Sequence, residues 1–364
     1  MHQSGDRMRA RLEDVAKLAG VSPKTVSNVV NGHPYVREQT RERVLQAMKE
    51  LNYRANISAR NLARGRTGVL ALAVPKLGNP YFAELAGYII EAAERRSWSV
   101  LIDETRGDPE RERRVIEGFT PMRLDAVIIS VQGLTATELA TLQPSGPLVL
   151  LGEKIFDGPA DHVAADNIAA AEALTRHLIE TQRRRIAVIG LTGTPLRGTP
   201  DLRLDGYRRA LREAGLTFRP EYVPAVSGYQ RSDGARAMAR LLELGDRPDA
   251  VVCFNDEMAV GALKTLAIRS IAVPEDIAVA GFDDIDESRY CHPSLTTVSW
   301  KNDQIAQVAL DLLEERIRQQ TPSPGWLPAQ SPAPPREVMT DFELIVRGST
   351  VVGADTLPSA NGEA

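Results

Sequence analysis

Polar side chains that could read DNA bases are concentrated in one short segment of the chain. They are Ser22, Lys24, Thr25, Ser27, Asn28 and Asn31. Each can donate or accept hydrogen bonds, and short side chains let a helix approach base edges in the major groove while its backbone amides face phosphates. The segment therefore fits sequence recognition in duplex DNA if it forms the second helix of a helix-turn-helix. Two packed helices in an ordinary helical domain are the alternative.

Two helices and a turn must position these side chains. The stretch LEDVAKLAGVSPKTVSNVVNG, residues 12–32, begins with apolar residues at the three-and-four spacing of a helix, which are Leu12, Val15, Ala16, Leu18 and Ala19. Gly20 ends this helix, and Ser22 as N-cap with Pro23 at the first helical position begins the second. A third helix is predicted over 37–52, with one apolar face made of Val44, Leu45, Met48 and Leu51.

Charge is distributed unevenly along the 364 residues. Residues 1–66 contain 13 Lys and Arg against 6 Asp and Glu, a net charge of +7, whereas the remainder contains 31 against 42, a net charge of -11. A basic surface of this density neutralises phosphates and releases counterions, which drives affinity for DNA of any sequence. The charge alone is also compatible with a basic surface that is exposed to solvent and binds no DNA. The pattern predicts a small basic head joined to a large acidic body.

The body alternates apolar runs with amphipathic helical segments. The runs are 69–74, 99–104, 125–130, 147–152, 185–190, 249–254 and 276–282. Such runs are typical of strands buried on both faces, so the alternation predicts parallel sheets covered by helices on both sides. Seven strand–helix units are more than a single domain built on one sheet usually contains, so we expect two lobes, with a boundary near 152–166. A last strand is expected within 342–349.

The amino-acid sequence of the N-terminal region resembles that of a known family. DVAKLAGVSPKTVSNVVNG (14–32) and TRERVLQAMKELNYRANISARNLARGRTG (40–68) closely resemble the DNA-binding headpiece of the lactose-repressor and galactose-repressor family, and the likeness extends through the body to PSLTTVSW (293–300). The resemblance implies an N-terminal all-α helix-turn-helix headpiece plus an α/β body. That body would have two doubly wound parallel-sheet lobes, like a periplasmic sugar-binding protein, hinged around a small ligand.

The resemblance also implies which residues bind DNA. Pro23, Lys24 and Asn28 match positions that select bases, and an amide at Asn28, where many relatives have Arg or His, could read adenine. The positions expected to contact phosphates or support the helix are Ser22, Thr25, Ser27 and Asn31, with Leu12 included among the DNA-binding residues. Tyr53, Asn56, Ala59 and Leu62 match a hinge segment. The leucine of that segment would act as an apolar wedge in the minor groove.

Six residues of the body match effector-binding positions of the family. They are Asn79, Phe82, Arg203, Tyr229, Asn255 and Asp283. Charged and amide side chains supply the paired hydrogen bonds that ring hydroxyls need, and aromatic faces pack against sugar C–H groups. Several of the six follow predicted strands, at the end where open α/β sheets bind ligands. For any one of them, a capped turn or a surface ion pair is the alternative role.

Signals for other functions are weak. The glycines of 190–198 match neither a dinucleotide-binding fingerprint nor a Walker A loop, which disfavours a nucleotide-binding enzyme. The five histidines lack metal-ligand spacing, and Cys253 and Cys291 are typical of buried thiols. A free solute-binding protein would carry a signal peptide and no basic head. We therefore expect a cytoplasmic protein that has no membrane span, no catalytic activity, no cofactor and no metal.

Together these patterns predict an ordered set of domains. A DNA-binding domain over 10–56 is followed by a hinge linker over 57–67, a two-lobed effector-binding and dimerisation domain over 68–350, and a disordered tail over 351–364. The predicted function is repression of a carbohydrate-utilisation operon by a homodimer on a pseudo-palindromic operator, with release by a sugar-like effector. A regulator that responds to a nucleobase, a nucleoside or another non-sugar corepressor is the alternative.

Overall fold

The computed structural model describes residues 10–30, 35–53, 66–118, 124–192, 198–320 and 333–354. The chain divides into two compact units, Met1–Gly68 and Val69–Ala364. Each unit is built around hydrophobic side chains of its own. The basic head and the acidic body expected from the charge distribution thus correspond to these two compact units.

The described part of the N-terminal unit contains three helices, which are α1 (Leu12–Ala19), α2 (Pro23–Val30) and α3 (Glu38–Glu50). Gly20 ends α1 at φ +64°, a left-handed conformation that glycine adopts without side-chain strain. Ser22 caps α2, because its Oγ accepts a hydrogen bond of 3.1 Å from the Thr25 N–H. The predicted helix-turn-helix and its third helix are confirmed.

The core of this unit is smaller than the periodicity predicts. Its buried residues are Val15, Ala16, Ala19, Val26, Val29, Val44 and Ala47. Leu45, which was expected on the apolar face of α3, is 52% exposed, and Leu18 of α1 is 49% exposed. Three short helices can cover only one face of each other, so apolar residues at the edge of that face stay in solvent.

The first lobe of the body is a six-stranded parallel sheet in the order β10-β5-β4-β3-β1-β2. Its strands are β1 (Val69–Val74), β2 (Ser99–Glu104), β3 (Ala126–Ser130), β4 (Leu148–Leu151), β5 (Asp161–Ala165) and β10 (Glu337–Thr340). Its helices are α4 (Pro80–Arg95), α5 (Pro109–Glu117), α6 (Ala136–Thr141) and α12 (Asn302–Gln320). All five residues of β3 are buried, as expected for a strand covered on both faces.

The second lobe is a five-stranded sheet in the order β11-β9-β8-β7-β6, in which β11 runs antiparallel to β9. Its strands are β6 (Ile186–Ile189), β7 (Ala250–Cys253), β8 (Ala278–Phe282), β9 (Thr296–Ser299) and β11 (Glu343–Ile345). Its helices are α7 (Asn167–Glu180), α8 (Thr199–Glu213), α9 (Arg231–Leu242), α10 (Asp256–Ile268) and α11 (Glu287–Tyr290), with a 3-10 turn at Pro220–Tyr222. Two lobes with doubly wound parallel sheets are therefore confirmed.

The chain passes from one lobe to the other after β5, after β9 and between β10 and β11. The first passage, at Ala165–Asn167, lies at the end of the predicted boundary. The last strand is shorter than the expected 342–349, and residues 351–354 form a turn instead of beginning a disordered tail, since the Ala354 N–H donates to the Val351 carbonyl at 3.2 Å. None of the described helices is long and apolar enough to cross a membrane.

Candidate functional site

Helix α2 carries the predicted base-reading residues at the surface of the N-terminal unit. Ser22, Pro23 and Lys24 are exposed, whereas Thr25, Ser27 and Asn28 are half-buried. Lys24 and Asn28 are four residues apart, so they lie on one helical face and can meet the same ligand surface. The Ser22 and Thr25 hydroxyls are 2.9 Å apart and hydrogen-bonded, which supports the first turn of the helix.

The other predicted DNA-binding residues divide into two groups. Leu12 and Tyr53 are half-buried and pack against the apolar core of the unit, so both support its fold. The backbone N–H of Tyr53 also donates to the Met48 carbonyl at 2.8 Å. The remaining predicted positions lie outside the described residues; they are Asn31, Asn56, Ala59 and Leu62.

A cavity of about 630 Å³ lies between the two lobes of the body. All six predicted effector residues line it: Asn79, Phe82, Arg203, Tyr229, Asn255 and Asp283. Its walls include Pro75, Gly152 and Asp283, which directly follow β1, β4 and β8 at their carboxyl ends. This is the edge at which open α/β sheets bind ligands. The structure thus brings the six residues together, and their roles as effector ligands remain predictions.

Arg203 is the most heavily contacted of the six and is buried at the start of α8. Its Nε donates to Asn167 Oδ1 at 2.6 Å, and another guanidinium N–H donates to the Phe254 carbonyl. Its Cζ lies over the Phe282 ring, 4.3 Å from the centroid, in a cation–π arrangement. Burial lowers the pKa of the guanidinium, and the Asp283 carboxylate opposes this effect. A side chain so constrained presents its free N–H groups in one orientation.

Asp283 lies beside Arg203 in a strained turn after β8. Its φ is +112°, a conformation that a residue with a side chain rarely adopts and that is concentrated at functional sites. Burial raises the pKa of its carboxyl to about 7, against the lowering effect of Arg203 and of the hydrogen bond from Trp300. The Arg203 guanidinium N and Asp283 Oδ1 are 3.9 Å apart, too far for a hydrogen bond. Both groups therefore keep hydrogen-bonding capacity for a ligand.

The two asparagines of the cleft have structural partners. Asn79 Oδ1 caps α4 by accepting from the Tyr81 N–H at 2.9 Å. Asn255 Oδ1 caps α10 by accepting from the Met258 N–H at 2.9 Å, and its Nδ2 donates to the Tyr229 carbonyl at 2.9 Å. Asn255 thereby ties the segment that carries Tyr229 to the end of β7. The alternative of a capped turn, considered from the sequence, describes both asparagines.

Aromatic rings form part of the cleft wall. Tyr81 and Phe82 at the start of α4 pack edge to face with centroids 5.1 Å apart, and burial raises the pKa of the Tyr81 hydroxyl. Tyr229 is 37% exposed at the opposite lobe, consistent with a ring that covers a ligand. These rings provide apolar faces beside the polar pair of Arg203 and Asp283.

Sequence reasoning missed several residues of the cleft. Asn167, which holds Arg203, directly follows the passage from β5, a strand that we did not predict. Trp300 ends the PSLTTVSW segment and donates from Nε1 to Asp283 Oδ1 at 3.1 Å. Glu153 after β4 accepts from the Thr199 hydroxyl at 2.9 Å, joining one lobe to the other. The sequence signal that could have identified these three residues is their position just after a strand, at the end where open α/β sheets bind ligands.

Two further chemical predictions concern metals and thiols. Within the part of the chain that the structure describes, no group of three or more His, Cys, Asp and Glu could hold a metal ion. Both cysteines are free, and Cys253 is buried as expected, whereas Cys291 is only partly buried. Burial raises the pKa of the Cys291 thiol to about 11, which disfavours a reactive thiolate.

Comparison with known proteins identifies the family. Residues 11–56 match the model of bacterial regulatory proteins of the lacI family, and residues 175–350 match a periplasmic binding protein-like domain. The chain is 35% identical over 315 residues to the ribose operon repressor of Escherichia coli strain K12, which covers 86% of this chain and 94% of that protein. The chain belongs to the LacI family.

Two further LacI-family likenesses span most of the chain. This chain is 32% identical over 341 residues to the HTH-type transcriptional repressor PurR of Glaesserella parasuis serovar 5, and the match covers 93% of this chain and 98% of that protein. A structure of a LacI-family regulator from Sanguibacter keddieii DSM 10542 shares 41% identity with a TM-score of 0.70, covering 79% of this chain and 99% of the other. As a LacI-family member, the chain is a DNA-binding, effector-controlled regulator of transcription.

Proposed function

We propose that this LacI-family regulator represses a carbohydrate-utilisation operon as a cytoplasmic homodimer, and that a small neutral sugar releases it from a pseudo-palindromic operator. It acts by binding alone, without catalysis. The observation that carries the proposal is the paired arrangement of Arg203 and Asp283 in the cleft between the lobes, beside aromatic rings. Sugar hydroxyls both donate and accept, so one ring can satisfy a guanidinium and a carboxylate together.

The charge of the cleft supports a neutral effector. Its lining contains the cations Lys76, Lys154 and Arg203 and the carboxylates Glu153, Asp201, Glu257 and Asp283. A phosphorylated ligand would meet these carboxylates without a surplus of cations, which is an unfavourable electrostatic environment for an anion. In our proposal Arg203 and Asp283 bind hydroxyls, Phe82 and Tyr229 pack against the ring, and Asn79 and Asn255 hold the cleft segments.

We assign DNA binding to residues 10–56, a hinge to 57–67, and effector binding with dimerisation to 68–350. In this scheme Pro23, Lys24 and Asn28 choose bases. The residues that contact phosphates or support the interface are Leu12, Ser22, Thr25, Ser27, Asn31, Tyr53, Asn56 and Ala59. Leu62 enters the minor groove between the two half-sites, and effector binding weakens this contact by changing the relation between the lobes.

A second candidate effector is a nucleobase or nucleoside that acts as a corepressor. The likeness to the repressor PurR favours it, because its identity of 32% is close to the 35% shared with the ribose operon repressor. Planar bases would stack on Phe82 or Tyr229 and use Arg203 and Asp283 on their edges. The two candidates predict opposite effects of the ligand on operator affinity.

Selection of duplexes from a random pool by the full chain, followed by fluorescence anisotropy, tests both candidates. We expect one enriched palindromic sequence whose affinity falls steeply with salt. D-ribose, other aldoses, disaccharides, nucleobases and nucleosides are then added in turn. Release by a sugar supports the proposal, and tighter binding with a base favours the second candidate. DNA binding that does not depend on salt or sequence contradicts both.

A further inference from the structure

Trp300 lies against both of the charged residues at the centre of the cleft. Its Nε1–H donates to Asp283 Oδ1 at 3.1 Å, and its ring stacks on Phe282 with centroids 5.9 Å apart and an interplanar angle of 15°. The Cζ of Arg203 is 5.2 Å from the centroid of the same indole. Trp300 is only 3% exposed, yet it lines the cavity.

The Asp283 carboxylate needs an orienting contact. Its backbone is strained at φ +112°, and its distance of 3.9 Å from Arg203 is too long for a hydrogen bond to hold it. Among the described residues, the side-chain hydrogen bond that this carboxylate accepts comes from Trp300. A single donor on a rigid, buried ring fixes the direction of one carboxylate oxygen and leaves the other free.

We propose that Trp300 is a positioning residue for effector recognition, which holds the Asp283 carboxylate through its indole N–H and confines the Arg203 guanidinium with its ring. The proposal rests on the function proposed above. Trp300 acts through these two side chains, so its replacement changes how they meet a ligand. Its indole N–H is a donor that phenylalanine lacks, whereas both have an aromatic ring.

The surroundings of Asp283 make the interaction measurable by titration. The titratable and charged groups that act on it from the packed elements are Arg203 of α8, Glu153 after β4, Glu257 and Asp256 of α10, and Tyr81 of α4. The Trp300 hydrogen bond lowers the pKa of Asp283, so its loss moves that pKa upward from about 7. A purely structural role for Trp300 would not produce this directed shift.

Fluorine NMR of the full chain labelled with 5-fluorotryptophan tests the contact without any ligand. The sequence contains Trp98, Trp300 and Trp326. The signal of each tryptophan is assigned by replacing that residue with phenylalanine and observing which signal disappears. We expect the Trp300 signal to titrate with a midpoint near 7, and this titration to vanish in Asp283→Asn. A Trp300 signal that does not titrate, or that titrates equally in Asp283→Asn, overturns the proposal.

Calorimetric titration with D-ribose and the other sugars of the panel tests the consequence. For a sugar that binds the unmodified chain, Trp300→Phe lowers affinity about tenfold, the effect of losing one hydrogen bond to a charged group, and moves the pH midpoint of binding upward. Trp98→Phe, a matched change outside the cleft, leaves affinity and midpoint in place. Equal affinity and midpoint in Trp300→Phe overturn the proposal. If no sugar binds the unmodified chain, the proposed function fails, and the fluorine titration still decides the positioning role.

Discussion

Arg203 lies over Phe282 with its Cζ 4.3 Å from the ring centroid, and the two side chains come from different segments of the second lobe. The aromatic ring occupies one face of the guanidinium, while Asn167 and the Phe254 carbonyl accept two of its N–H groups. The remaining donors therefore point where a ligand can reach them. This preorganisation lowers the entropic cost of binding.

Replacement of Arg203 with alanine should abolish the effector response and leave operator binding within about twofold. The loss of a charge-assisted donor pair corresponds to about a 10- to 100-fold weaker effector affinity. Arg203→Lys keeps the charge but lacks the planar fork, so it should restore little of that affinity. Operator release is followed by anisotropy as effector is added. An unchanged response in Arg203→Ala removes Arg203 from the effector site.

Effector affinity should rise with pH around the pKa of Asp283, which burial raises to about 7. Ionising this carboxyl in the free protein reduces folding stability as pH rises through that value, because its folded pKa is above its ordinary pKa. A ligand whose hydroxyls donate to the ionised form offsets this cost. Binding should therefore weaken by up to about tenfold for each pH unit below the midpoint.

Calorimetry at about pH 6, 7 and 8 measures this dependence. Asp283→Asn is the matched control, since it keeps the size of the side chain but cannot ionise, and its weaker binding should be flat over the same range. A sloping profile in Asp283→Asn would assign the titration to another group of the cleft.

Leu62→Gly should weaken specific operator binding while sparing effector binding, because it removes the predicted minor-groove wedge. Unstacking one base step costs a few kcal/mol and is offset by contacts of the bent duplex, so the expected loss is about tenfold or more in specific affinity. Anisotropy on the selected operator and calorimetry with the effector are compared. Equal loss of both activities indicates misfolding and contradicts the wedge role.

Gly20→Ala should destabilise the N-terminal unit by about 1 kcal/mol, because φ +64° is costly for a residue with a Cβ. A Cβ at this position meets no heavy atom within 4 Å, so the cost is conformational and not steric. Gly245→Ala is the control, as it has equally open space without a positive φ. Calorimetric unfolding of the full chain should show a lower transition only for Gly20→Ala.

Local patterns predicted most of the architecture. Each of the seven predicted strands occurs within two residues of its expected bounds. For the strands buried on both faces, such as β3, the reason is that burial on both sides requires a continuous apolar run, whereas β2 lies at a sheet edge and is only partly buried. Strand β5, with the sequence DHVAA, escaped prediction because Asp161 and His162 interrupt the apolar pattern. Their burial depends on ion pairs and hydrogen bonds with Arg316 and Glu337, which lie more than 150 residues further along the chain.

The sequence by itself determined the helix-turn-helix, the alternation of strands and helices, and the six candidate effector positions. Capping residues, hydrophobic periodicity and short sequence motifs gave these predictions, and all three are local properties of the chain. Only the tertiary structure decided that Leu18 and Leu45 face solvent, that the six candidate positions line one cavity, and that Asn167 and Trp300 hold Arg203 and Asp283. The contacts of Arg203 with Asn167 and of Asp283 with Trp300 join residues that are 36 and 17 positions apart in the sequence. Their formation depends on how the sheets and helices pack, and no local spacing encodes that packing.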